Sequence, residues 1–402
     1  MGRAVLVFNA GSSSVKYQLI DLDGGGRLAT GLVDRIGEGG EGLLKHRAGD
    51  GPPHETRERF ADHAQALDAI LAAFKQAGPD LDRTAPVAVG HRVVHGGTRY
   101  GRPTLIDDAV LAGIRELSAL APLHNPANAA GIEVARKAFP DIAHVAVFDT
   151  AFHRTLPAAA YTYAVPREWR EEHSVRRYGF HGTSHQYVAR RAAALLGKPA
   201  QEANLIVLHL GNGASACAVE GGRSVETSMG LTPLEGLVMG TRSGDLDPAV
   251  PEYLRRVAGL DAERIDAALN HDSGLRGLAG SNDLRDLHEA RERGDEDARL
   301  ALDVYCHRIK KYVGAYYAVL GRLDAVVFTA GVGENDPEVR ARSLAGLERL
   351  GITLDDGRNR SGGRGERFVS PDGAPVPVLV VPTDEELEIA VQALEAAGLG
   401  AS

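Results

Sequence analysis

The chain has 402 residues, which is too long for one ordinary hydrophobic core and predicts two domains. Its composition is globular, with 44% hydrophobic residues, and the net charge of −9 argues against nucleic acid or an anionic membrane as the main partner. Two cysteines are too few for a disulfide framework, and no apolar run approaches the roughly 18 residues of a membrane helix, so a reducing, cytoplasmic location is expected.

Hydrophobic patterns predict strands and helices in succession over the first 150 residues. Apolar residues 5–8 predict a buried strand, the small residues 10–14 a turn, and the alternating residues 15–20 a returning strand. Residues 37–59 are Gly-rich and charged, which indicates surface loops or a weak hairpin. The other predictions here are a helix at 61–76, a strand at 86–94, a helix that opens at Asn125-Pro126 and a strand at 142–148.

The middle of the chain repeats the arrangement found at the N-terminus. Residues 204–210 predict an apolar strand, residues 211–215 a turn of Gly and small polar residues, and residues 216–219 a second strand. The two copies lie about 200 residues apart, which predicts two related domains. The other predictions are a long helix at 298–320, strands at 324–329 and 376–381, an Arg/Gly loop at 357–364, a capping box at 383–386 and a final helix at 387–397.

Three predicted strands run into segments of glycine and small polar residues, at residues 11–14, 211–215 and 331–335. Such segments place backbone N–H groups where phosphate oxygens bind. One segment alone is weak evidence because tight turns use glycine anyway, but three in one chain indicate a phosphate ligand. The P-loop and protein-kinase signatures are absent, so neither of those enzyme classes is indicated.

Two arginines lie in unusual surroundings. Arg92 lies in the apolar segment His91-Arg92-Val93-Val94-His95, and Arg242 lies between glycines in Gly240-Thr241-Arg242-Ser243-Gly244. Guanidinium groups bind carboxylate and phosphate through two parallel hydrogen bonds, so both arginines are candidates for binding an anion. A structural salt bridge is an equal alternative for each.

Several histidines stand beside glycine or small residues, among them His124 and His181. The spacing of four in His91/His95 and in His181/His185 would suit zinc on a helix, but the adjacent glycines argue against a continuous helix and therefore against a metal site. A structural histidine is the usual alternative, and a histidine that donates to a phosphoryl oxygen is the functional one.

Two carboxylates are candidates for the same site. Asp149 ends a predicted buried strand, where the ligand sites of α/β sheets lie. Glu385 lies in the first turn of the last helix, where the helix dipole alone favours a carboxylate. Each could hold Mg²⁺, directly or through water. A role as a turn or helix cap stays open for both.

These motifs resemble the signatures of the acetate kinase family, and they follow the family's order along the whole chain. They are, in chain order, Asn9-Ala10-Gly11-Ser12-Ser13-Ser14-Val15-Lys16, His91-Arg92-Val93-Val94-His95-Gly96-Gly97, Pro122-Leu123-His124-Asn125-Pro126, Phe148-Asp149-Thr150-Ala151-Phe152-His153, and the segments 179–185, 209–213, 240–247, 331–335 and 383–386. A match of this extent is highly specific. One departure is Asp384, where many members are expected to have Asn.

The resemblance implies the acetate and sugar kinase/Hsp70/actin fold, an α/β fold of two duplicated ribonuclease H-like (actin-like ATPase) domains with ATP in an interdomain cleft. The expected N-terminal domain is 1–150 plus 384–402, and the expected nucleotide-binding domain is 151–383. The resemblance further implies reversible transfer of the γ-phosphoryl group of ATP to acetate, giving acetyl phosphate and ADP, with Mg²⁺ or Mn²⁺ and as a homodimer.

The resemblance also assigns roles at the reacting centre. It implies that Arg92 binds the substrate carboxylate, that His181 and Arg242 stabilise the transition state, and that Asp149 lies at the catalytic centre. The apolar pocket for the methyl end of the acid is implied to consist of Val94, Leu123, Phe180 and Pro233.

Metal and nucleotide ligands follow from the same resemblance. Asn9 and Glu385 are implied to hold the metal ion, and Lys16 is implied to lie near the nucleotide. The residues implied to line the nucleotide site are His209, Leu210, Gly211, Asn212, Gly213, Asp283, Leu284, Arg285, Gly331, Val332, Gly333, Glu334 and Asn335.

The chemistry of the acceptor narrows the expected mechanism. A free carboxyl group has a pKa of roughly 4 and is already ionised at neutral pH, so it needs no general base. Asp149 is therefore expected to position metal, water or substrate. Phosphoryl transfer depends mostly on positioning and charge stabilisation, which predicts direct in-line transfer without a phosphoenzyme.

Three other functions are alternatives to acetate kinase. A propionate kinase or another short-chain fatty acid kinase of the same family stays open. A sugar kinase of the same fold needs a placed Asp base and a polar pocket, which the paired arginines and the apolar residues argue against. An Hsp70-like ATP-driven binding protein needs an appended peptide-binding region, which the sequence does not indicate.

Overall fold

The chain divides into two compact units, and the first contains the N-terminal repeat together with the last helix. The computed structural model describes residues 2–400, of which those up to Ala151 and those from Asp384 onward form the first unit. Its strands are β1 (Ala4–Ala10), β2 (Val15–Asp21), β3 (Gly26–Val33), β4 (Gly42–Ala48), β5 (His54–Glu58), β6 (Ala88–Val93), β7 (Thr104–Leu105) and β8 (Ala143–Phe148). Its helices are α1 (His63–Ala77), α2 (Asp108–Glu116), α3 (Asn125–Ala138) and a C-terminal helix (Glu385–Ala396).

The strands of the first unit form one sheet in the order β5-β4-β3-β2-β1-β6-β8-β7. Strands β1, β6 and β8 run parallel, whereas β1 to β5 form an antiparallel meander. Residues 4–8 of the central strand β1 are all buried. A strand with neighbours on both edges and helices on both faces needs apolar side chains at successive positions, which explains the unbroken apolar run in the sequence.

Helices cover both faces of this sheet. On one face, α1 packs through Ile70 and Phe74, and α3 packs through Ala135, in one cluster with Leu6 and Phe8 of β1. On the other face, the C-terminal helix packs through a cluster that includes Ile389, with Val5, Val7, Val145 and Val147 of the sheet. Gly90 of β6 lies directly under this helix, since a Cβ atom there would approach Ile389 Cγ2 to 2.8 Å.

The second unit comprises Phe152–Thr383. Its strands are β9 (Asn204–Leu210), β10 (Ala214–Glu220), β11 (Arg223–Thr227), β12 (Ala325–Thr329), β13 (Arg367–Phe368) and β14 (Val378–Val380). Its helices are α4 (Ala158–Tyr161), α5 (Arg167–Glu172), α6 (Gly182–Leu195), α7 (Val250–Ala258), α8 (Ala262–His271), α9 (Gly274–Ala279), α10 (Leu284–Glu292), α11 (Glu296–Leu320), α12 (Ala330–Asn335), α13 (Pro337–Leu344) and α14 (Asp356–Arg360). In chain order, the C-terminal helix Glu385–Ala396 of the first unit is α15.

The second sheet repeats the strand order of the first. Its order is β11-β10-β9-β12-β14-β13, with β9, β12 and β14 parallel and β10 antiparallel to β9. The hairpin β9–β10 therefore corresponds to β1–β2, and each tight turn is closed by a backbone hydrogen bond, from Gly11 N to Ser14 O at 2.7 Å and from Gly211 N to Gly213 O at 3.0 Å. The predicted duplicated α/β fold is confirmed.

Of the two alternatives predicted for residues 37–59, the hairpin is confirmed, because β4 and β5 pair antiparallel and extend the first sheet. Two other local predictions need correction. The Gly-rich segment after β12 forms the short helix α12 where a turn was predicted. The last helix is capped by Asp384, whose side chain accepts a hydrogen bond from Leu387 N at 3.1 Å, while Thr383 bonds to Ser184.

Within residues 2–400, none of the helices combines the length and the apolar character that crossing a bilayer requires.

Candidate functional site

Three polar side chains of the first unit stand at the ends of neighbouring parallel strands. Asn9 lies near the end of β1, Arg92 near the end of β6, and Asp149 directly after β8. Side chains on one face of a strand recur every second residue. Each of these three residues comes two residues after a position that lies under α15, namely Val7, Gly90 and Val147. Ligand sites of α/β sheets lie at this carboxyl edge.

Arg92 holds these side chains together. Its Nε and Nη2 donate to the two carboxylate oxygens of Asp149 at 3.0 and 2.5 Å, and its Nη1 donates to Asn9 Oδ1 at 3.2 Å. Burial disfavours the charge of Arg92, but the carboxylates of Asp149 and Glu385 outweigh burial and raise its pKa. Burial likewise raises the pKa of Asp149, and the Arg92 guanidinium opposes that shift.

The hydrogen bonds of Arg92 leave part of its guanidinium available. An arginine has five N–H donors, and within the described residues Arg92 uses three of them. One N–H on each of Nη1 and Nη2 is left to donate to an anion. Asp149 by contrast has both oxygens engaged by Arg92, as a positioning group would.

Glu385 and Lys16 adjoin this cluster within the first unit. Glu385 is the first residue of α15, and its Oε2 lies 4.0 Å from Arg92 Nε. Lys16 lies on β2, opposite Asn9 in the strand register, and its side chain is exposed. The start of α15 is thus a carboxylate beside the guanidinium.

The oxygen atoms of Asn9 and Glu385 are suited to a hard cation. Mg²⁺ is usually held by one or two side-chain oxygens, with waters and substrate phosphates completing its shell. Within residues 2–400, the structure contains no cluster of three His, Cys, Asp or Glu side chains arranged to hold a metal ion. The donor set of Asn9 and Glu385 fits a metal ion that shares its ligands with a phosphate substrate.

Two residues implied to line the acyl pocket belong to the first unit. Val94 is only 6% exposed, and its backbone N–H donates to Asn128 Oδ1 at 3.0 Å. Asn128 in turn donates to Ala10 O at 2.7 Å, so it ties the segment after β6 to the end of β1. Leu123 is 56% exposed, which is a large exposure for an apolar side chain.

A group of histidines lies at the carboxyl edge of the second sheet. His181 precedes α6 with φ of 55°, a left-handed conformation that is costly for a residue other than glycine. Its Nδ1 and the Nε2 of His185 both form hydrogen bonds with Ser215 Oγ, at 2.9 and 2.8 Å. The His181 ring stacks on His209 with centroids 4.1 Å apart. The ring is therefore fixed in place at a strained backbone position.

Arg242 differs from Arg92 in its electrostatic surroundings. Its Nη1 donates to Pro233 O at 2.8 Å, but no carboxylate lies within ion-pair distance of it in the described part of the chain. Burial lowers its pKa. A Cβ atom on Gly213 would lie 3.4 Å from both Arg242 Nη2 and His181 Nε2, so the Gly213 turn runs close to both side chains.

The loop that carries Arg242 is held by residues that the sequence did not single out. Asp245 accepts from Gly236 N at 2.9 Å and from the hydroxyl of Tyr312 at 2.9 Å. Arg308 donates to Gly236 O at 2.9 Å. Tyr312 and Arg308 are one turn apart on α11, and this i, i+4 spacing was the only signal that could have paired them.

The segments implied to bind nucleotide meet within the second unit. Asn212 Oδ1 accepts from Asn282 Nδ2 at 3.0 Å, which joins the β9–β10 turn to the start of α10. Asp283 caps α10 and forms an exposed ion pair with Arg285. Gly211 approaches Ala330, which opens α12 with a φ of 65°.

Helix α12 is fixed by an arginine that the sequence did not indicate as functional. Arg340 is buried, and it donates to the carbonyl oxygens of Gly333 and Glu334 at 2.8 and 3.1 Å. Its Nε donates to Asn359 Oδ1 at 2.7 Å. The carbonyls at the end of α12 are therefore satisfied by a charged donor.

Comparisons with known proteins agree with this architecture. The model of the acetokinase family matches residues 4–391. The acetate kinase of Clavibacter sepedonicus is 61% identical over 394 residues, covering 98% of this chain and 99% of that protein. The crystal structure of Porphyromonas gingivalis acetate kinase has a TM-score of 0.93 and 43% identity, covering 98% of this chain and 99% of that chain. A propionate kinase from Francisella tularensis subsp. tularensis SCHU S4 has a TM-score of 0.92 and 39% identity, covering 98% of this chain and 100% of that chain.

The family match and the similarity in sequence and fold to acetate kinases define a kinase that transfers phosphate to a carboxylate acceptor. The chain belongs to the acetokinase family, and the resemblance seen in its motifs is confirmed. Family membership implies ATP or ADP as co-substrate and typically a divalent metal ion.

Proposed function

We propose that the chain is an acetate kinase, which transfers the γ-phosphoryl group of ATP to acetate to give acetyl phosphate and ADP. The reaction is reversible, so the enzyme also forms ATP and acetate from acetyl phosphate and ADP. The observation that carries this proposal is the 61% identity over nearly the whole chain to a protein named acetate kinase. Propionate kinase is the weaker candidate, because the protein of that name is 39% identical.

Arg92 is proposed to bind the acceptor carboxylate. The two N–H groups left on its Nη atoms suit the two oxygens of a carboxylate. Asp149 keeps the guanidinium in a fixed plane and stays bonded to it, so it acts as a positioning residue. No base is needed, because the acetate carboxylate is ionised at neutral pH.

Arg242 and His181 are proposed to stabilise the transferring phosphoryl group. One oxygen of the acetate carboxylate attacks the γ-phosphorus, the bond from that phosphorus to the β–γ bridging oxygen breaks, and ADP leaves with the electron pair. No proton is transferred, and no phosphoenzyme forms. Arg242 has no carboxylate partner among the described residues, so its full charge is available for an anion.

The nucleotide is proposed to bind at three segments: His209–Gly213, Asp283–Arg285 and Gly331–Asn335. Their support is the contact between Asn212 and Asn282 and the close approach of Gly211 to Ala330. Lys16 is proposed to contribute a further charge to nucleotide binding, from its exposed place on β2.

Asn9 and Glu385 are proposed to hold Mg²⁺ or Mn²⁺, which would neutralise charge on the phosphates of the nucleotide. The support is their oxygen chemistry and their place around Arg92. Asp384 adds a second carboxylate at the start of α15, but Arg27 pairs with it at 2.7 Å. Glu385, by contrast, lies beside Arg92 at the end of the parallel strands.

The homodimer implied by the family resemblance is also proposed for this chain. Its support is α7, a helix without a buried residue whose Tyr253 and Val257 are 55% and 60% exposed. Sedimentation equilibrium should give a mass near twice 42.6 kDa, and the mass of a single chain would reject the dimer.

A direct assay tests the proposed activity. Purified protein, ATP, Mg²⁺ and acetate should form an acyl phosphate that hydroxylamine traps as the hydroxamate. Glucose or glycerol in place of acetate should give no ADP above background. Turnover with a sugar and none with acetate would overturn the proposal.

Removing Arg242 should abolish activity without harming the fold. Arg242→Ala is expected to lower kcat by about 10²-fold or more, the effect of losing a preorganised charge. Since it breaks no ion pair, its thermal midpoint should equal or exceed that of the wild type. The exposed Arg349→Ala is the matched control and should keep full activity. Normal kcat in folded Arg242→Ala would reject the assignment.

Removing the Glu385 carboxylate should weaken metal binding. Glu385→Ala is expected to raise the Mg²⁺ concentration for half-maximal rate by about tenfold, because a direct charged ligand is lost. Glu395→Ala, at an exposed position on the same helix, should leave the Mg²⁺ titration unchanged. If both variants titrate like the wild type, Glu385 is only a helix-start charge.

Widening the acyl pocket should change the preferred acid. Val94→Ala is expected to raise the propionate-to-acetate ratio of kcat/KM severalfold, because one methylene in an apolar pocket is worth about 1–3 kcal/mol. Val93→Ala removes the same atoms from the adjacent, fully buried side chain and serves as the control. Equal ratios in the two variants would show that Val94 does not line the pocket.

A further inference from the structure

A cavity of ≈ 570 Å³ in the second unit shares two lining residues with a segment proposed to bind nucleotide, while its other lining residues have no role in the proposed reaction. Four arginines line it, and we refer to it as the arginine pocket: Arg340, Arg360, Arg364 and Arg367. Glu334 and Asn335, the last two residues of α12, form part of its wall. Its volume lies within the range of about 300–1,000 Å³ that small-molecule sites occupy.

The arginine pocket carries a large excess of positive charge. None of its four guanidinium groups has a carboxylate within 4.0 Å in the described part of the chain. Glu334 is the only carboxylate in its lining, and one of its oxygens accepts from Thr383 N at 3.3 Å. The nearby carboxylate of Glu366 is paired with Arg191 at 2.5 Å, outside the pocket.

Neutral groups hold the two inner arginines in place without cancelling their charge. Arg367 donates to the carbonyls of Gly365 and Glu334, and its Nε is buried without a hydrogen-bond partner in the structure as described. Arg340 is bonded to Asn359 and to carbonyls of α12. Burial and the neighbouring Arg367 lower the pKa of Arg340 to about 10. Two like charges are thus held together at a cost that an anion would relieve.

The two outer arginines lie at the end of α14 and in the glycine-rich segment that follows it. Arg360 and Arg364 are exposed, and they flank Gly362-Gly363. Gly362 and Gly365 have φ of 62° and 99°, a region that only glycine enters readily. This is the Arg/Gly loop of the sequence, which the proposed phosphoryl transfer does not use.

We propose that the arginine pocket is a second binding site, which takes a compact oxyanion with at least two negative charges. Guanidinium forks match phosphoryl and carboxylate oxygens alike, so a diphosphate group and a tricarboxylate share the required chemistry. The pocket shares Glu334 and Asn335 with the segment proposed to bind nucleotide. An anion there will therefore change the affinity for ATP by a limited factor, which is the part of the inference that depends on the proposed function.

Calorimetric titration of the full chain with pyrophosphate tests the site. Wild type should bind it, and Arg360→Ala/Arg364→Ala should bind it about tenfold or more weakly, since each charged hydrogen bond contributes roughly an order of magnitude to the dissociation constant. Arg349→Ala, an exposed arginine elsewhere in the unit, should bind as the wild type does. Equal affinity in all three proteins, or no binding to any, would overturn the site. Citrate in place of pyrophosphate tells a carboxylate ligand from a phosphoryl one.

Kinetics separate this site from the nucleotide site. Without added anion, the double variant should phosphorylate acetate at the wild-type rate, because neither arginine is assigned to the reaction. As the pyrophosphate concentration rises, the KM for ATP of the wild type should change and then reach a plateau. In the double variant, the change in this KM at each pyrophosphate concentration should be smaller. An unlimited, purely competitive rise that is identical in both proteins would place pyrophosphate in the nucleotide site and reject the proposal. An inactive wild type would reject the proposed function while leaving the calorimetric result valid.

Discussion

The ion pair between Arg92 and Asp149 is the interaction on which the first unit's proposed site depends. Asp149 is buried, and a buried carboxylate without a partner would take up a proton or destabilise the fold. The bidentate contact with Arg92 favours the charged form of both groups and fixes the plane of the guanidinium. The remaining N–H groups of Arg92 are then aimed by the fold before any acid binds, which reduces the cost of ordering them later.

The second unit contains an arginine in the opposite electrostatic situation, because Arg242 has no carboxylate partner among the described residues. Arg242 is partly buried, and its only hydrogen-bond acceptor in the described residues is the carbonyl of Pro233. Its loop is held by Asp245, Tyr312 and Arg308, none of which neutralises Arg242. A cation kept without a counter-ion costs stability, and it interacts more strongly with an anion that arrives. Together with the strained backbone of His181, this pattern is typical of a site built for its ligand.

Duplication explains how one fold carries both arrangements. The two sheets share the order of a three-stranded antiparallel section followed by parallel strands, so their carboxyl edges are equivalent places. In the first unit that edge presents an arginine, a carboxylate and an amide. In the second it presents histidines and glycine turns. The shared backbone fold places a carboxyl edge in each unit, and the side chains at and after the strand ends determine which chemical groups that edge presents.

The sequence by itself determined the central strands of both sheets, the repeat, the family and most of the candidate residues, whereas β3, β7, β11 and β13 were not predicted. Apolar runs such as residues 5–8 and 204–210 predict buried strands, because a strand buried on both faces has no position for a polar side chain. Side chains alternate between the two faces of a sheet, and Arg92 and Asp149 lie on the same face. Only the tertiary structure decided which charges are paired. Arg92 and Arg242 were equally strong candidates in the sequence. In the structure, Arg92 pairs with Asp149, which lies 57 residues further along the chain, whereas no carboxylate within residues 2–400 pairs with Arg242. The contact of Tyr312 with Asp245 spans 67 residues and leaves no local pattern in the sequence. Arg340 and the arginine pocket depend on how α12 packs against the segments that follow it, which no periodic pattern in the sequence indicates.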